Sequence, residues 1–317
     1  MKIKAIINTN SKKGCEKQLS NIIQNEFALH DISIEFTKFP KHATEIARIA
    51  SDSNVDLIIA VGGDGTVNEI VNGITGSKTA LGIIPTGTAN DLATLYHIPT
   101  DINAACKIIK QRNTKEIDII NVNGWNYITG GGIGLPTEVA RISEVIKSNK
   151  IYGNLLKQTL GSKVYILAMI FALIKLNNFL NYVEIYNDEK VIRIKILFMI
   201  INNQSFVGKI YHLCPKARND DGFIDICLLK YSPNIWKMLC VLFKTLSGTH
   251  IKSSLVQSWK VKNITIKTKV ELPYLGDGEI GLCSSTFNIS VKPRALKLIT
   301  PLMAKRTNKQ EGLIKCY

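Results

Sequence analysis

The chain has 317 residues, 45% hydrophobic and 21% charged, so it can hold about two domains with buried cores and is not disordered as a whole. Its formal net charge of +15 favours an anionic partner such as a nucleotide, acidic lipid headgroups or a nucleic acid. Seven scattered cysteines without a CxxC pair argue against a zinc site or a disulfide framework and indicate a reducing compartment.

The N-terminal part alternates between β-rich and helical segments. The predicted strands are Ile3–Asn8, Ile32–Phe36, Leu57–Val61, Ala80–Ile84 and Glu116–Val122. The predicted helices are Cys15–Phe27, Ala43–Ser51, Val67–Ile74 and Asp101–Gln111. This alternation predicts an α/β domain, with a mostly parallel sheet covered on both faces, in which ligands bind beyond the carboxyl ends of the strands.

A glycine-rich turn, Gly62-Gly-Asp-Gly-Thr66, follows the apolar strand Leu57–Val61 and precedes a predicted helix. Glycines let the backbone approach a polyphosphate closely, and the N-terminus of the following helix favours negative charge. Asp64 is a candidate for holding Mg²⁺ through water, because magnesium keeps part of its hydration shell. The alternative is a tight strand–helix connection in which Asp64 only caps the helix.

A second polar turn, Ile84-Pro-Thr-Gly-Thr-Ala-Asn-Asp91, follows the next predicted strand. Alone it is typical of a loop that precedes a helix. Because both turns follow strands of one predicted sheet, together they predict a two-sided nucleotide site. Neither turn matches the P-loop pattern or Gly-x-Gly-x-x-Gly, which argues against a Walker-type ATPase and an ordinary Rossmann dehydrogenase.

Beyond the glycine cluster Gly130–Gly134 the pattern changes to runs of β-like segments. After an apolar stretch with interspersed lysines, Ile151–Leu180, these segments are Tyr182–Tyr186, Val191–Ile201, Phe223–Lys230, Val261–Val270 and Phe287–Val291. Runs of strands with few helices predict a second, β-rich domain. We therefore predict an α/β domain over residues 1–124, a β-rich domain over 125–304 and a polar tail over 305–317.

Two apolar stretches bear on membrane contact. Val164–Ile174, the longest uncharged apolar run, has 11 residues, whereas a bilayer-spanning helix needs about 20, and the chain opens on a β-like run rather than on a signal peptide. We therefore expect a soluble or peripheral protein. Ile235–Leu246 combines apolar residues with Lys237 and Lys244, which suits either docking on anionic lipid or an ordinary core helix.

At these motifs the chain resembles the diacylglycerol kinase family of lipid kinases, particularly its soluble bacterial branch, and more remotely the sphingosine and NAD kinases. One GGDG turn would be only suggestive, but the resemblance covers nearly the whole chain. In order, the matching motifs are Ile7-Asn8 with Ser11, Gly62–Glu69, Ile84–Asp91, Ile117-Asp118, Gly130–Gly134, Pro215–Gly222 and Gly276-Asp-Gly-Glu279.

The resemblance implies a kinase that uses ATP and Mg²⁺ to phosphorylate a hydroxyl of a lipid such as diacylglycerol. It implies a cytoplasmic protein, peripheral to the inner face of the cell membrane, in contact with its anionic surface. A homodimer is compatible with it. No nucleic-acid partner is expected, because the sequence has no basic stripe interleaved with aromatic residues and no nucleic-acid-binding motif.

The resemblance also implies roles for individual residues. The nucleotide contacts fall in four places. The first loop supplies Asn8, Thr9, Asn10, Ser11 and Lys12, with Lys13 as a phosphate contact, and Thr37 follows the second strand. The phosphate turn supplies Gly62, Gly63, Asp64, Gly65, Thr66, Val67 and Asn68, and the second turn supplies Thr88. Asp64 and Asp91 are expected to organise the catalytic Mg²⁺ through water. Glu279 is expected to accept the proton of the lipid hydroxyl, with Asp277 beside it.

A structural magnesium site is implied at Arg218-Asn-Asp-Asp-Gly-Phe223, with the Asp221 carboxylate and the carbonyls of Arg218 and Phe223 as ligands. Without the resemblance, this segment is typical of an acidic β-turn. The chain also departs from the family pattern. Thr9 stands where the family usually has proline, and Gly208-Lys-Ile210 stands where it has a glycine triplet on the acceptor side. The acceptor therefore stays open between diacylglycerol, phosphatidylglycerol, a sphingoid base and a polyprenol.

Two other functions remain open. An NAD kinase would use the same GGDG turn on a soluble nucleotide acceptor, although the Asp277-Gly-Glu279 and Asp220-Asp-Gly222 segments favour the lipid branch. A non-catalytic protein that binds nucleotides or nucleic acid would suit the basic charge. It would leave the combination of Asp64, Asp91 and Glu279 unexplained.

Overall fold

The computed structural model describes residues 1–9, 14–148, 181–187, 190–207 and 211–302. The first part contains β1 (Lys2–Ile7), α1 (Glu16–Glu26), β2 (Asp31–Phe36), α2 (His42–Asp52), β3 (Leu57–Gly62), α3 (Asp64–Ile74), β4 (Ala80–Pro85), α4 (Asp91–Leu95), α5 (Ile102–Gln111) and β5 (Thr114–Val122). Every strand and helix predicted here is present, with bounds shifted by one to three residues. The short helix α4 was not predicted.

Strands β1 to β4 form a parallel sheet in the order β2-β1-β3-β4. All six residues of β3 are buried, as expected for a parallel strand with helices on both faces. Helices α2 and α3 pack closely: a Cβ atom on Gly73 would lie 2.6 Å from the carbonyl oxygen of Thr44. The carboxyl ends of β1, β3 and β4 therefore meet at one edge of the sheet, where the two polar turns follow.

The second part is rich in antiparallel strands. It contains β6 (Trp125–Tyr127), β7 (Gly130–Gly134), α6 (Leu135–Ser148), β8 (Asn181–Asn187), β9 (Lys190–Asn202), β10 (Ile224–Lys230), α7 (Ile235–Lys244), a 3₁₀ turn (Thr249–Lys252), β11 (Val256–Val261), β12 (Asn263–Gly276) and β13 (Glu279–Ile299). The predicted β-rich character is confirmed. The predicted strand Val261–Val270 is wrong at its start, because Val261 ends β11 and the next strand begins at Asn263.

The last strand joins the two parts of the molecule. β13 is 21 residues long and pairs antiparallel with β12 and with β5. Near its end, Lys297 and Leu298 pair in parallel with β4. A strand from the second part of the chain therefore joins the parallel sheet of the first part, and it connects the β12–β13 hairpin directly to that sheet. The domain boundary at residue 124 stays a prediction.

Among the described residues, no helix is both long and apolar enough to cross a bilayer. The apolar stretch Val164–Ile174, which is part of the reason for expecting a soluble or peripheral protein, lies outside the described residues.

Candidate active site

Three segments converge at the carboxyl ends of β1, β2 and β3. Asn8 follows β1, and its backbone N–H donates to the carbonyl of Val61 at 3.0 Å. Its side-chain amide donates to the hydroxyl of Thr66 at 2.7 Å. The Thr9 hydroxyl donates to the carbonyl of Thr37, which follows β2, at 3.2 Å. Asn8, Thr9 and Thr37 thus border the predicted phosphate turn.

The predicted phosphate turn is largely the first turn of a helix. α3 begins at Asp64, three residues before the predicted start, with Gly63 at its N-cap in an extended conformation. The first intrahelical bond runs from the N–H of Val67 to the carbonyl of Gly63, at 3.1 Å. The N–H groups of Asp64, Gly65 and Thr66 therefore have no acceptor within the helix, and such groups bind anions.

The two polar turns touch each other through their backbones. A Cβ atom on Gly87 would lie 2.5 Å from the Cα of Gly63, so only glycine fits this approach. The N–H of Thr86 donates to the carbonyl of Gly62 at 2.9 Å. The Asn90 side chain accepts from the N–H of Gly87 at 3.1 Å and donates to its carbonyl at 2.8 Å. The second turn is thereby held against the first.

Asp64 and Asp91 form a pair of neighbouring carboxylates. The N–H of Asp91 donates to Asp64 Oδ1 at 2.7 Å. Burial, and next the negative charge of Asp91, raise the pKa of Asp64 to about 6. Neighbouring carboxylates favour a bound cation, and carboxylate oxygens suit Mg²⁺. Because the described residues contain no cluster of three His, Cys, Asp or Glu side chains that could hold a metal, water would have to complete the ligand set.

The opposite wall of the site is the turn of the β12–β13 hairpin. Gly276 pairs with Glu279 across this turn, and Asp277 has a left-handed backbone conformation, with φ 48°. Glu279 is exposed. A Cβ atom on Gly65 would lie 2.6 Å from Glu279 Oε1. The hairpin therefore brings a carboxylate of the second part of the chain against the phosphate turn of the first.

Asp277 is held by hydrogen bonds rather than directed at the turn. Its two carboxylate oxygens accept five of them: from Asn68 Nδ2 at 2.6 Å, from the N–H groups of Ile128, Thr129 and Gly130 at 2.9, 2.9 and 3.1 Å, and from the Thr129 hydroxyl at 2.6 Å. Its own N–H donates to the carbonyl of Gly130 at 2.8 Å. This saturation favours a positioning role for Asp277, which connects α3 with the hairpin.

Asparagines on α3 extend this connection, and sequence reasoning missed it. Asn68 and Asn72 both donate to the carbonyl of Asn126, at 3.0 and 2.9 Å. Asn72 Oδ1 in turn accepts from the N–H of Asn126 at 2.9 Å. Residues four apart share a helix face, so the spacing of Asn68 and Asn72 was the one available signal that this face of α3 meets a polar partner.

The Arg218–Phe223 loop has different surroundings. Asp221 accepts from the N–H of Phe223 at 3.1 Å and from Lys260 Nζ at 2.5 Å. Asp220 forms ion pairs with Arg218 at 3.0 Å and Lys115 at 2.9 Å. Both carboxylates therefore have basic partners, and Lys260 is shared with Asp225, whose carboxylate lies 3.6 Å from Lys260 Nζ and whose pKa is raised to about 6 chiefly by burial. The structural magnesium site stays a prediction.

The remaining predicted contacts differ in how the structure places them. Asn10, Ser11, Lys12 and Lys13 lie outside the described residues. Thr88 is exposed in the second turn, whereas Val67 is buried in the core, so only its backbone can face a ligand.

Comparison with known proteins gives a consistent picture over both parts of the chain. A family model described as the diacylglycerol kinase catalytic domain matches residues 2–122, and one described as the YegS C-terminal NAD kinase beta sandwich-like domain matches residues 148–300. The chain is 31% identical over 277 residues to a diacylglycerol kinase of Bacillus subtilis (strain 168), covering 86% of this chain and 88% of the relative.

Two further relatives agree. A diacylglycerol kinase of Staphylococcus carnosus (strain TM300) is 28% identical over 304 residues, covering 94% of both chains. A crystal structure of a diacylglycerol kinase from Bacillus anthracis str. Sterne is 29% identical and superimposes with a TM-score of 0.73, covering 94% of this chain and 96% of that one.

Proposed function

This chain belongs to the diacylglycerol kinase family, whose members phosphorylate an alcohol group, and we propose that it uses ATP and Mg²⁺ to phosphorylate a hydroxyl of a lipid such as diacylglycerol. One observation carries this proposal: the carboxylate of Glu279 lies against Gly65, at 2.6 Å from the position of a Cβ atom there. A candidate base and a candidate phosphate site thus face each other across one cleft.

The nucleotide is bound mainly by backbone groups. Phosphoryl transfer needs positioning and charge neutralisation more than covalent chemistry, because its transition state spreads negative charge over the phosphoryl oxygens. The N–H groups of Asp64, Gly65 and Thr66 at the start of α3 supply fixed donors for those oxygens. The contact between Gly63 and Gly87 holds the second turn beside them and shapes the site.

Mg²⁺, when bound, neutralises charge on the transferring phosphate. Asp64 and Asp91 would hold it through water. Burial, and next the negative charge of Asp91, raise the pKa of Asp64, and a cation would offset both effects. Deprotonated carboxylates are required for this role, so the proposed binding competes with protonation of Asp64.

Glu279 acts on the acceptor. The hydroxyl oxygen attacks the γ-phosphorus and forms the new O–P bond, while the bond between that phosphorus and the β-phosphate oxygen breaks and ADP leaves with its electron pair. The hydroxyl proton passes to the carboxylate of Glu279. Asp277 does not take this proton, since its oxygens accept five other hydrogen bonds; it holds the hairpin at the correct distance from α3.

The lipid is the least constrained part of the proposal. The names of the relatives in Bacillus subtilis and Staphylococcus carnosus support diacylglycerol. The net charge of +15 supports peripheral contact with an anionic membrane, because each lysine near such a surface contributes about 1 kcal/mol. An NAD kinase is the second candidate, since the C-terminal match is described as NAD kinase beta sandwich-like.

A screen with radiolabelled ATP tests the proposal. The purified chain is incubated with Mg²⁺ and vesicles that contain diacylglycerol, phosphatidylglycerol, a sphingoid base or a polyprenol, or with NAD in solution, and each product is identified by mass. We expect label in diacylglycerol and none in NAD. Transfer to NAD alone would contradict the proposal, and a different labelled lipid would correct the acceptor.

A further inference from the structure

Helix α7 exposes large apolar side chains on its outer face. Trp236 is 75% exposed and Phe243 51% exposed. The opposite face is well packed: Met238, Val241 and Leu242 are buried in a core with β9 and β10. A helix at a soluble surface usually places polar residues outside, so the outer face of α7 lacks an apolar partner within the described residues.

The exposed residues are ordered along the helix. Trp236, Cys240 and Phe243 follow one another at spacings of four and three, which places them in one stripe. Lys237 and Lys244, both exposed, are seven residues apart and form a row beside this stripe. We call these five residues the α7 face. Long lysine side chains beside apolar surface can extend their ammonium groups towards anionic headgroups.

The chain segment that contains α7 is basic. Between Ile226 and Val270 the chain contains eight lysines and no Asp or Glu. An apolar stripe flanked by lysines, on a helix whose other side is packed, has the composition of helices that lie in the membrane interface. Negative charge on the partner is required to complement such a surface.

We propose that the α7 face docks this protein on an anionic lipid bilayer, with Trp236 and Phe243 inserted at the level of the headgroups. The inference rests on the proposed function only in that a lipid acceptor has to be reached from a bilayer. A second copy of the chain fits this face less well. A symmetric pairing would bring the lysine rows of two copies together without acidic residues between them.

The fold connects this face with the active site. His212 donates its N–H to the carbonyl of Thr245, just after α7, at 2.8 Å. Asn203 donates its N–H at 2.9 Å to the carbonyl of Thr129, whose own N–H and hydroxyl bind Asp277. Asn203, just after β9, is thus linked through Thr129 to the Asp277 turn, and His212, further along the chain, is bonded to the end of α7.

Vesicle binding without nucleotide tests the inference. The double variant Trp236→Ser/Phe243→Ser is compared with wild type and with Leu29→Ser, whose side chain is 98% exposed but lies in the N-terminal part. Co-sedimentation with vesicles of phosphatidylglycerol and phosphatidylcholine gives the partition coefficients. Because burying one such side chain changes partition about tenfold, we expect a loss of roughly 100-fold in the double variant and little change in Leu29→Ser.

A second arm separates docking from catalysis. Phosphorylation of a short-chain diacylglycerol, supplied as dispersed monomers, should be equal in wild type and the double variant, because no vesicle has to be bound. If neither the wild type nor the double variant phosphorylates the short-chain diacylglycerol, the proposed function fails. The vesicle result still decides the docking inference. Equal vesicle binding by the double variant and wild type would overturn the inference. It would also be overturned if the double variant bound vesicles like wild type but differed from it in oligomeric state.

Discussion

Two acidic turns of the second part, Asp277-Gly-Glu279 and Asp220-Asp-Gly222, look alike in sequence and differ in how their charge is balanced. In the first, Asp277 accepts hydrogen bonds from backbone N–H groups and neutral side chains. In the second, Asp220 and Asp221 are paired with Lys115, Arg218 and Lys260. Neutral donors fix the first turn without cancelling its charge, whereas lysine and arginine neutralise the second.

This difference supports the proposed catalytic role of the cleft carboxylates and distinguishes them from those of the Arg218–Phe223 loop. In the cleft, burial, and next the charges of Asp91 and Asp277, raise the pKa of Asp64, and the Glu279 carboxylate lies against Gly65 of the same turn. Such an excess of negative charge is costly in the empty cleft and favourable once a cation is bound. In the Arg218–Phe223 loop both carboxylates have basic partners, so its contribution is expected to be to stability.

The largest effect is expected from removing the Asp64 carboxylate. Asp64→Ala should abolish phosphoryl transfer, because one of the two carboxylates that favour Mg²⁺ is lost, while thermal melting still shows a folded protein. Turnover is measured with radiolabelled ATP and a lipid acceptor. Full activity in a folded variant would contradict the role of the phosphate turn.

Asp277→Asn should have the next largest effect. Either orientation of the amide places an NH₂ group against N–H or O–H donors, since both carboxylate oxygens now accept at least two hydrogen bonds. Hydrogen bonds to charged groups contribute about 1.5–3 kcal/mol each, so we expect a loss of about 3 kcal/mol in the free energy of unfolding. A misplaced hairpin should lower turnover about 100-fold.

Denaturant titration and turnover of the same Asp277→Asn preparation provide the check. Unchanged stability together with a large loss of turnover would instead assign the proton transfer to Asp277. Glu279 would then lose its proposed role.

The pH dependence of stability should expose the charge excess in the cleft. The pKa of Asp64 is raised from 3.8 to about 6 in the folded protein, so the folded state binds this proton more tightly than the unfolded state. The carboxyl group should therefore lower stability progressively as pH rises from about 4 to about 6, by about 3 kcal/mol once fully ionised.

Asp64→Asn cannot ionise and should remove this dependence. In EDTA, denaturant titrations should find the variant more stable than wild type at pH 8 and nearly equal to it at pH 4. If wild type and Asp64→Asn differed in stability by the same amount at both pH values, the charge of Asp64 would not be the cause of the pH dependence.

The smallest effect is expected at the second turn. The Lys260–Asp221 pair is partly exposed, and such pairs contribute about 0–1 kcal/mol. Asp221→Asn should therefore lower stability by less than about 1 kcal/mol and leave turnover within about twofold. Melting in Mg²⁺ and in EDTA also tests the predicted structural magnesium: if Mg²⁺ stabilises wild type but not Asp221→Asn, the loop does hold a cation.

Local patterns made much of the nucleotide side predictable. The buried run Leu57–Val61 followed by Gly62–Thr66 identifies a strand and its carboxyl end, and places the glycine-rich turn there, within ten residues. The start of α3 was placed too late because glycines are typical of loops. In the structure Asp64 and Gly65 already belong to the helix. A Cβ atom at Gly65 would lie 2.6 Å from Glu279 Oε1, so the close approach of Glu279 favours glycine there in spite of its low helix propensity.

The second part was less predictable because its decisive contacts are distant in sequence. Asp277 binds the N–H groups of residues 147 to 149 positions away, and no local spacing indicates such partners. The strand β7 consists mainly of glycines, which have low strand propensity. Its glycines are needed because a Cβ atom on Gly131 would overlap the carbonyl of Leu275, a requirement of packing alone.

The most direct test of the account is the turnover of Glu279→Gln measured with its ATP affinity. The substitution keeps the size of the side chain and removes the base, so a group that acts in the transition state should affect turnover far more than binding. We expect turnover with lipid to fall about 10²–10⁴-fold, calorimetric ATP affinity to stay near that of wild type, and the matched variant Asp221→Asn to remain active. Wild-type turnover in Glu279→Gln would contradict the central claim that the two parts of the chain form one catalytic cleft.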